Sequence, residues 1–216
     1  GSTGSGKSTT LAAMVDHRNR GHHGHILIIE DPIEFLHESR LSLVNQREVH
    51  THTPSYEAAL RSALREDPDV IALGELRDSE SIRLALRAAE TGHLVLATLH
   101  ASSAAQAVDR MVDVFDAVEQ AWVRAQLAES LQGVVYQVLC KTADGLGRVA
   151  AWEVLVGTPA VAHLVREGKA AQLVSVMQSG LGQGMQTLDQ HLGHLLRSGH
   201  ISLQQARSLA RFPEHL

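Results

Sequence analysis

The sequence predicts an α/β fold built on a mainly parallel sheet. Short apolar runs of strand length, "HILIIE", "DVIALGE" and "HLVLATLH", alternate with helical stretches. Each run ends in an acid or an imidazole, Glu30, Glu75 and His100. Ligands of such sheets bind beyond the carboxyl ends of the strands. Aromatic residues make up only 3% of the chain, so aliphatic side chains must fill the core.

The elements follow in order. "GSTGSGKSTT" opens the chain as a turn-rich loop, and residues 9–18 continue as a helix with Leu11 and Met14 or Val15 inward. "HHGH" is a polar turn before the first strand, residues 25–30. "LSLVNQREV" reads as an extended segment. Residues 55–65 form an amphipathic helix with Ser55 as N-cap. A buried strand over 69–75 leads to a helix over 79–91, with Ile82, Leu84, Leu86 and Ala89 for packing, stopped by Gly92. "HLVLATLH" is expected to be a third buried strand. Helices over 104–115 and 121–131 come next. "VVYQVLC" and "RVAAWEVLV" are two strands joined by "ADGLG". Past Gly157 the pattern becomes short helices: 159–166, 170–177, 187–197 and 203–210. The expected division is therefore a core over 1–157 and a helical subdomain over 158–216.

Composition narrows the function. The formal net charge is −5, with 19 Lys and Arg against 24 Asp and Glu, and no long basic run is present. A nucleic-acid footprint is not expected. The apolar runs are too short to span a bilayer. Cys140 is the only cysteine, so neither an internal disulfide nor a four-cysteine zinc site can form, and a small buried apolar role is expected for it.

Four stretches carry chemistry. Gly1-x-x-x-x-Gly6-Lys7-Ser8 satisfies the phosphate-loop pattern. Its glycines let backbone N–H groups of Gly1, Ser2, Thr3, Gly4, Ser5 and Gly6 turn towards an anion, and the helix start at Lys7, Ser8 and Thr9 adds its dipole. Lys7 can reach β- and γ-phosphates, and the Ser8 hydroxyl can bind Mg²⁺. Second, "IIEDPIEF" places Glu30, Asp31 and Glu34 after a strand that Pro32 ends, and one of these carboxylates could orient water for attack. Third, Glu75 ends its strand where a carboxylate can hold Mg²⁺ or its water, Gly74 standing where many such sites have Asp. Fourth, His93 and His100 bracket the last apolar run. His100, at the carboxyl end, is the better site candidate, and His93 is suited to ordering the turn before it. The chain's other histidines, His22, His23 and His25 among them, show no metal-site spacing.

These four motifs, in this order, resemble the ATPases of type II/IV secretion and of type IV pili. "GSTGSGKSTTLAAM" looks like their Walker A loop, "IIEDPIEFLH" their Asp box, "DPDVIALGELRD" their glycine-bearing Walker B and "AAETGHLVLATLHASSA" their His box. Within that group "HESRLSLVNQREV", "SIRLALRAAETGH" and "GMQTLDQHL" resemble the pilus retraction ATPases, the PilT family. The extension and type II secretion branch usually carries a zinc element of four cysteines, so its lack favours retraction over a pilus-extension or secretion ATPase, the remoter alternative.

The resemblance implies a RecA-like core that binds and hydrolyses ATP with Mg²⁺, in a cytoplasmic homo-hexamer at the inner face of the inner membrane. It implies work on an inner-membrane platform protein to retract a pilus and drive twitching motility. It also implies Glu34 as general base, Glu75 for Mg²⁺, and His93 and His100 for sensing nucleotide. Neither direct nucleic-acid binding nor membrane insertion is implied. "AVAHLVRE", residues 160–167, departs from the retraction signature, where Ala162-His163 replaces Arg-Asn, so an accessory, PilU-like motor or a nucleotide-gated partner subunit is the alternative. The family's N-terminal PAS-like domain and the strand before the phosphate loop are absent from this sequence, and weak, slow ATP use is expected of such a piece.

Overall fold

The computed structural model describes the backbone of residues 1–216 and every side chain except that of His215. The chain forms two compact units, one of residues 7–99 and 114–116, the other of residues 1–6, 100–113 and 117–216.

The first unit is a parallel sheet in the order β2-β1-β3-β4. Its strands are β1 (Gly24–Glu30), β2 (Ser42–Glu48), β3 (Val70–Leu73) and β4 (Leu94–Ala97). The helices are α1 (Lys7–Gly21), α2 (Tyr56–Ala63) and α3 (Ser79–Glu90). β1 and β3 are central and buried on both faces, which is why they read as unbroken aliphatic runs. Ile26, Ile28, Val70 and Ala72 pack against Leu11 and Val15 of α1. Met14, the other inward candidate, is exposed instead. Successive side chains alternate, so Leu27, Ile29, Ile71 and Leu73 turn to the other face, where α2 packs on β1 and α3 on β4. Ser55 caps α2, its hydroxyl accepting from Ala58 N.

β4 corrects an expectation. It has a single ladder partner, β3, and its residues are half-buried or exposed, Leu94 at 41%. An edge strand is covered less than a central one, and hydrophobicity alone does not tell the two apart. In α3 the packing residue is Ala88 rather than Ala89. The Arg83 guanidinium lies 5.2 Å over the Phe115 ring.

The second unit centres on the antiparallel hairpin of β5 (Gly133–Lys141) and β6 (Arg148–Val156). Its turn is tied by Asp144, whose carboxylate accepts from Thr142 Oγ1 and Leu146 N, with Gly145 in the left-handed region. Helices α4 (Ala104–Asp113), α5 (Ala117–Ser130), α6 (Pro159–Arg166), α7 (Leu173–Ser179), α8 (Leu188–Arg197) and α9 (Leu203–Leu209) complete it. Cys140 and Ala151 from the hairpin share one core with Leu192, Leu195, Ile201 and Ala206. That shared core joins the hairpin to the C-terminal helices. Cys140 is a fully buried free thiol, as its surroundings in sequence suggest, and burial pushes its pKa up. No helix among the described residues is long and apolar enough to cross a membrane.

Candidate functional site

The residues of the phosphate loop fall in both units, Gly1–Gly6 in one and Lys7 onward in the other. In the Gly1–Gly6 segment, Ser5 N donates to Ser2 O at 3.3 Å, and Gly4 and Gly6 take positive φ, +74° and +90°. Ser2, Thr3 and Gly4 are exposed, and Ser5 is buried. The loop lies tightly on β5. A Cβ on Gly1 would collide with Ser5 Oγ and come within 2.6 Å of Gln137 O, and one on Gly6 would come within 2.7 Å of Gln137 Nε2. Among the described residues, Ser5 Oγ is a buried polar atom without a hydrogen-bond partner. An exposed turn over Ser2, Thr3 and Gly4, with left-handed glycines at 4 and 6 and an unpartnered buried hydroxyl between them, suits an anion. His100 belongs to this unit, where its carbonyl accepts from Arg110 Nη1 at 2.7 Å.

In the sheet unit, Lys7, Ser8 and Thr9 form the first turn of α1, whose leading N–H groups lack intrahelical acceptors. Lys7 feels the carboxylates of Glu75 and Glu34. Its burial lowers the ammonium pKa, and the two acids oppose that shift. These three residues are therefore brought together.

Glu75 follows β3 and is fixed by the strand ends around it. Gly74 N donates to Ile29 O (2.8 Å), Leu76 N to Thr98 O (2.9 Å), and Thr98 Oγ1 donates to the Gly74 carbonyl. Gly74 is required by space: a Cβ there would sit 2.9 Å from Tyr56 Oη and 3.3 Å from Glu30 Cα. Arg77 Nε donates to Glu75 Oε2 at 2.6 Å, and its Nη1 lies 3.9 Å from Asp31 Oδ2.

Glu34 is exposed on a loop laid over the end of β2. Ile33 N donates to Glu48 Oε2 (3.0 Å), His37 N to Gln46 Oε1 (2.8 Å) and Gln46 Nε2 to Phe35 O (2.8 Å). Glu30, only 8% exposed, has its pKa raised by burial first and by the Glu34 charge second. The two acids thus differ in setting: Glu30 is buried, while Glu34 faces water.

His93 is not brought to this cluster. It precedes β4, at the amino end of a parallel sheet whose carboxyl ends carry Glu30 and Glu75. Four strand residues separate those ends, about 13 Å of rise. Its Nδ1 lies 3.0 Å from Ala88 O and 3.1 Å from Thr91 Oγ1, which orders the turn after α3. Among the described residues no group of three or more His, Cys, Asp or Glu could hold a metal.

Sequence reasoning missed Tyr56, Arg77, Thr98, Gln46 and Glu48. Of these, only Arg77, two residues past Glu75 in "GELRD", carried a local signal.

A relative from Pseudomonas aeruginosa, "Type IV pilus retractation ATPase PilT", is 60% identical over the whole chain. A second protein of that organism, "Type IV pilus ATPase PilU", is 47% identical over 95% of the chain. The chain spans 62% and 54% of these relatives' lengths. A solved structure, "Crystal Structure of the Pilus Retraction Motor PilT and Bound ADP", covers all of the chain with a TM-score of 0.91 at 47% identity, and the chain covers 61% of it. The family model "Type II/IV secretion system protein" matches residues 1–207. The chain belongs to the type II/IV secretion system protein family.

Proposed function

We propose that this chain binds ATP on its phosphate loop and hydrolyses it as part of a motor that retracts type IV pili. The observation that carries the proposal is the convergence of Lys7, Glu34 and Glu75 at the carboxyl ends of a parallel sheet. The retraction ATPase and the ADP-bound motor among its relatives support the same reading. Identity of 60% to the retraction ATPase, against 47% to PilU of the same organism, favours the main motor over an accessory one.

In this reading the N–H groups of Gly1, Ser2, Thr3, Gly4, Ser5 and Gly6, with those of Lys7, Ser8 and Thr9, hold the phosphates. Lys7 neutralises the β- and γ-oxygens. Glu34, exposed to solvent, orients water and takes its proton. Ser8 and Glu75 would hold Mg²⁺, which when bound neutralises charge developing on the phosphates. Arg77 keeps Glu75 aimed by pairing with it. Glu30, buried beside Glu34 with its pKa raised by burial first and by the Glu34 charge second, lines the site. His100 is the nucleotide sensor. His93 acts from outside the cluster, through the turn it orders. A homo-hexamer at the cytoplasmic face of the inner membrane, acting on a platform protein, is the assembly this function needs. A net charge of −5 argues against a DNA-acting motor.

Phosphate release from ATP tests the proposal. Lys7→Ala is expected to abolish turnover. Glu34→Gln is expected to lower it by roughly 100-fold or more, the scale of one preorganised catalytic group, while ADP binding is kept. Normal turnover by Glu34→Gln would remove the assignment of the base.

A further inference from the structure

We propose that Gln137 is a positioning residue of the phosphate loop, and that Trp152 holds Gln137 in place. The inference rests on the nucleotide reading above and deepens it. Gln137 lies in the middle of β5 and is 6% exposed. Its Nε2 donates to the Ser5 carbonyl at 2.7 Å, and its Oε1 accepts from Trp152 Nε1 at 2.9 Å. Turning the amide over would set N–H against N–H and oxygen against oxygen, so the two partners fix one orientation. Trp152 is the cross-strand partner of Gln137 on β6. The indole is held in turn by His191 of α8: Trp152 N donates to His191 Nδ1 at 2.9 Å, and the rings stack at 5.4 Å and 16°.

The consequence follows from the planarity of the peptide unit. In a trans peptide the carbonyl and the next N–H point in opposite directions. Pinning Ser5 C=O on Gln137 therefore aims Gly6 N–H away from Gln137, as an anion-directed donor must be. The same residue leaves no room for a side chain at Gly1 or Gly6. Gln137 thus fixes both the path of the loop and the direction of one of its donors, without touching phosphate itself.

The test titrates the chain with MANT-ADP. Gln137→Met keeps the volume and removes both hydrogen bonds. Affinity is expected to fall about tenfold, the scale of one net hydrogen bond, with the urea midpoint measured alongside. Trp152→Phe is expected to weaken binding about threefold, and the double variant no further than Gln137→Met alone, because the indole acts through the amide. The chain has two tryptophans, so Trp122→Phe leaves Trp152 as the sole indole. Its emission is expected to change on adding ADP, and that change should vanish with Gln137→Met. A purely structural glutamine would not produce this optical link. If Gln137→Met does not fold, Gln137→Glu, which keeps an acceptor for Trp152 but no donor for Ser5, carries the same expectation. Affinity within twofold of the parent for these variants, or fully additive effects of the two substitutions, would overturn the inference. A parent chain that binds no MANT-ADP would overturn the nucleotide reading along with it.

Discussion

Gly74→Ala probes the crowding beneath Glu75. Gly74 is not in the left-handed region, so the objection to a side chain is space alone. The added methyl would meet Tyr56 Oη at 2.9 Å, Glu30 Cα at 3.3 Å and Glu30 Cγ at 3.4 Å. Retreat is blocked, because Gly74 N is bonded to Ile29 O and its carbonyl to Thr98 Oγ1. Overpacking of this kind costs about 1–3 kcal/mol. Replacing glycine returns about 0.5–1 kcal/mol by restricting the unfolded chain. The net expectation is a loss of about 1–2 kcal/mol, a drop of roughly 0.5–1 M in the urea midpoint followed by far-UV circular dichroism. In a Tyr56→Phe background the tightest contact is gone and only the Glu30 contacts remain, so the loss should roughly halve. An equal loss in both backgrounds, or none in either, would refute the steric account of this glycine.

Tyr56 also sets an alkaline limit. Burial, with help from Asp31, pushes its pKa up to about 12, against the pull of Arg77. A raised folded-state value means the contribution is intact below about pH 10 and is lost as pH climbs towards 12. Urea midpoints at pH 9 and 11 should converge in Tyr56→Phe and diverge in the parent. At the start of α3, Asp78 accepts from Ser81 N at 2.7 Å in a capping box. Asp78→Ala should lower stability by about 1 kcal/mol, a melting shift of roughly 2–4 °C.

The sequence made some of this legible and hid the rest for physical reasons. β1 and β3 could be found because a strand buried on both faces must be aliphatic throughout. Ser55 could be found because a cap acts within three residues of itself. The grouping of Lys7 with Glu34 and Glu75 was legible because each stands at an element end that the α/β pattern places at one edge of the sheet. β4 is aliphatic too, yet it has one neighbour, and strand order is a property of topology rather than of local pattern. Gln137 was hidden by distance: the carbonyl it holds is 132 positions away. In "VVYQVLC" a lone amide reads as the polar phase of an alternating strand. Tyr56 resembled an ordinary first-turn residue of α2, because nothing nearby in sequence reveals that its hydroxyl ends beside Gly74.

The loop bearing Glu34 hangs from Glu48, which stands outside the converging trio. Ile33 N and Thr51 Oγ1 both donate to that carboxylate, and they hold its pKa below the usual carboxylate range. The mooring is strongest when Glu48 is ionised, so it tightens above the ordinary carboxylate pKa and slackens as acid drives pH down through the lowered one. Acidification therefore loosens the loop that carries Glu34 at its Glu48 mooring. The acid response of the Glu34 loop is thus written partly into a side chain that stands apart from Lys7, Glu34 and Glu75.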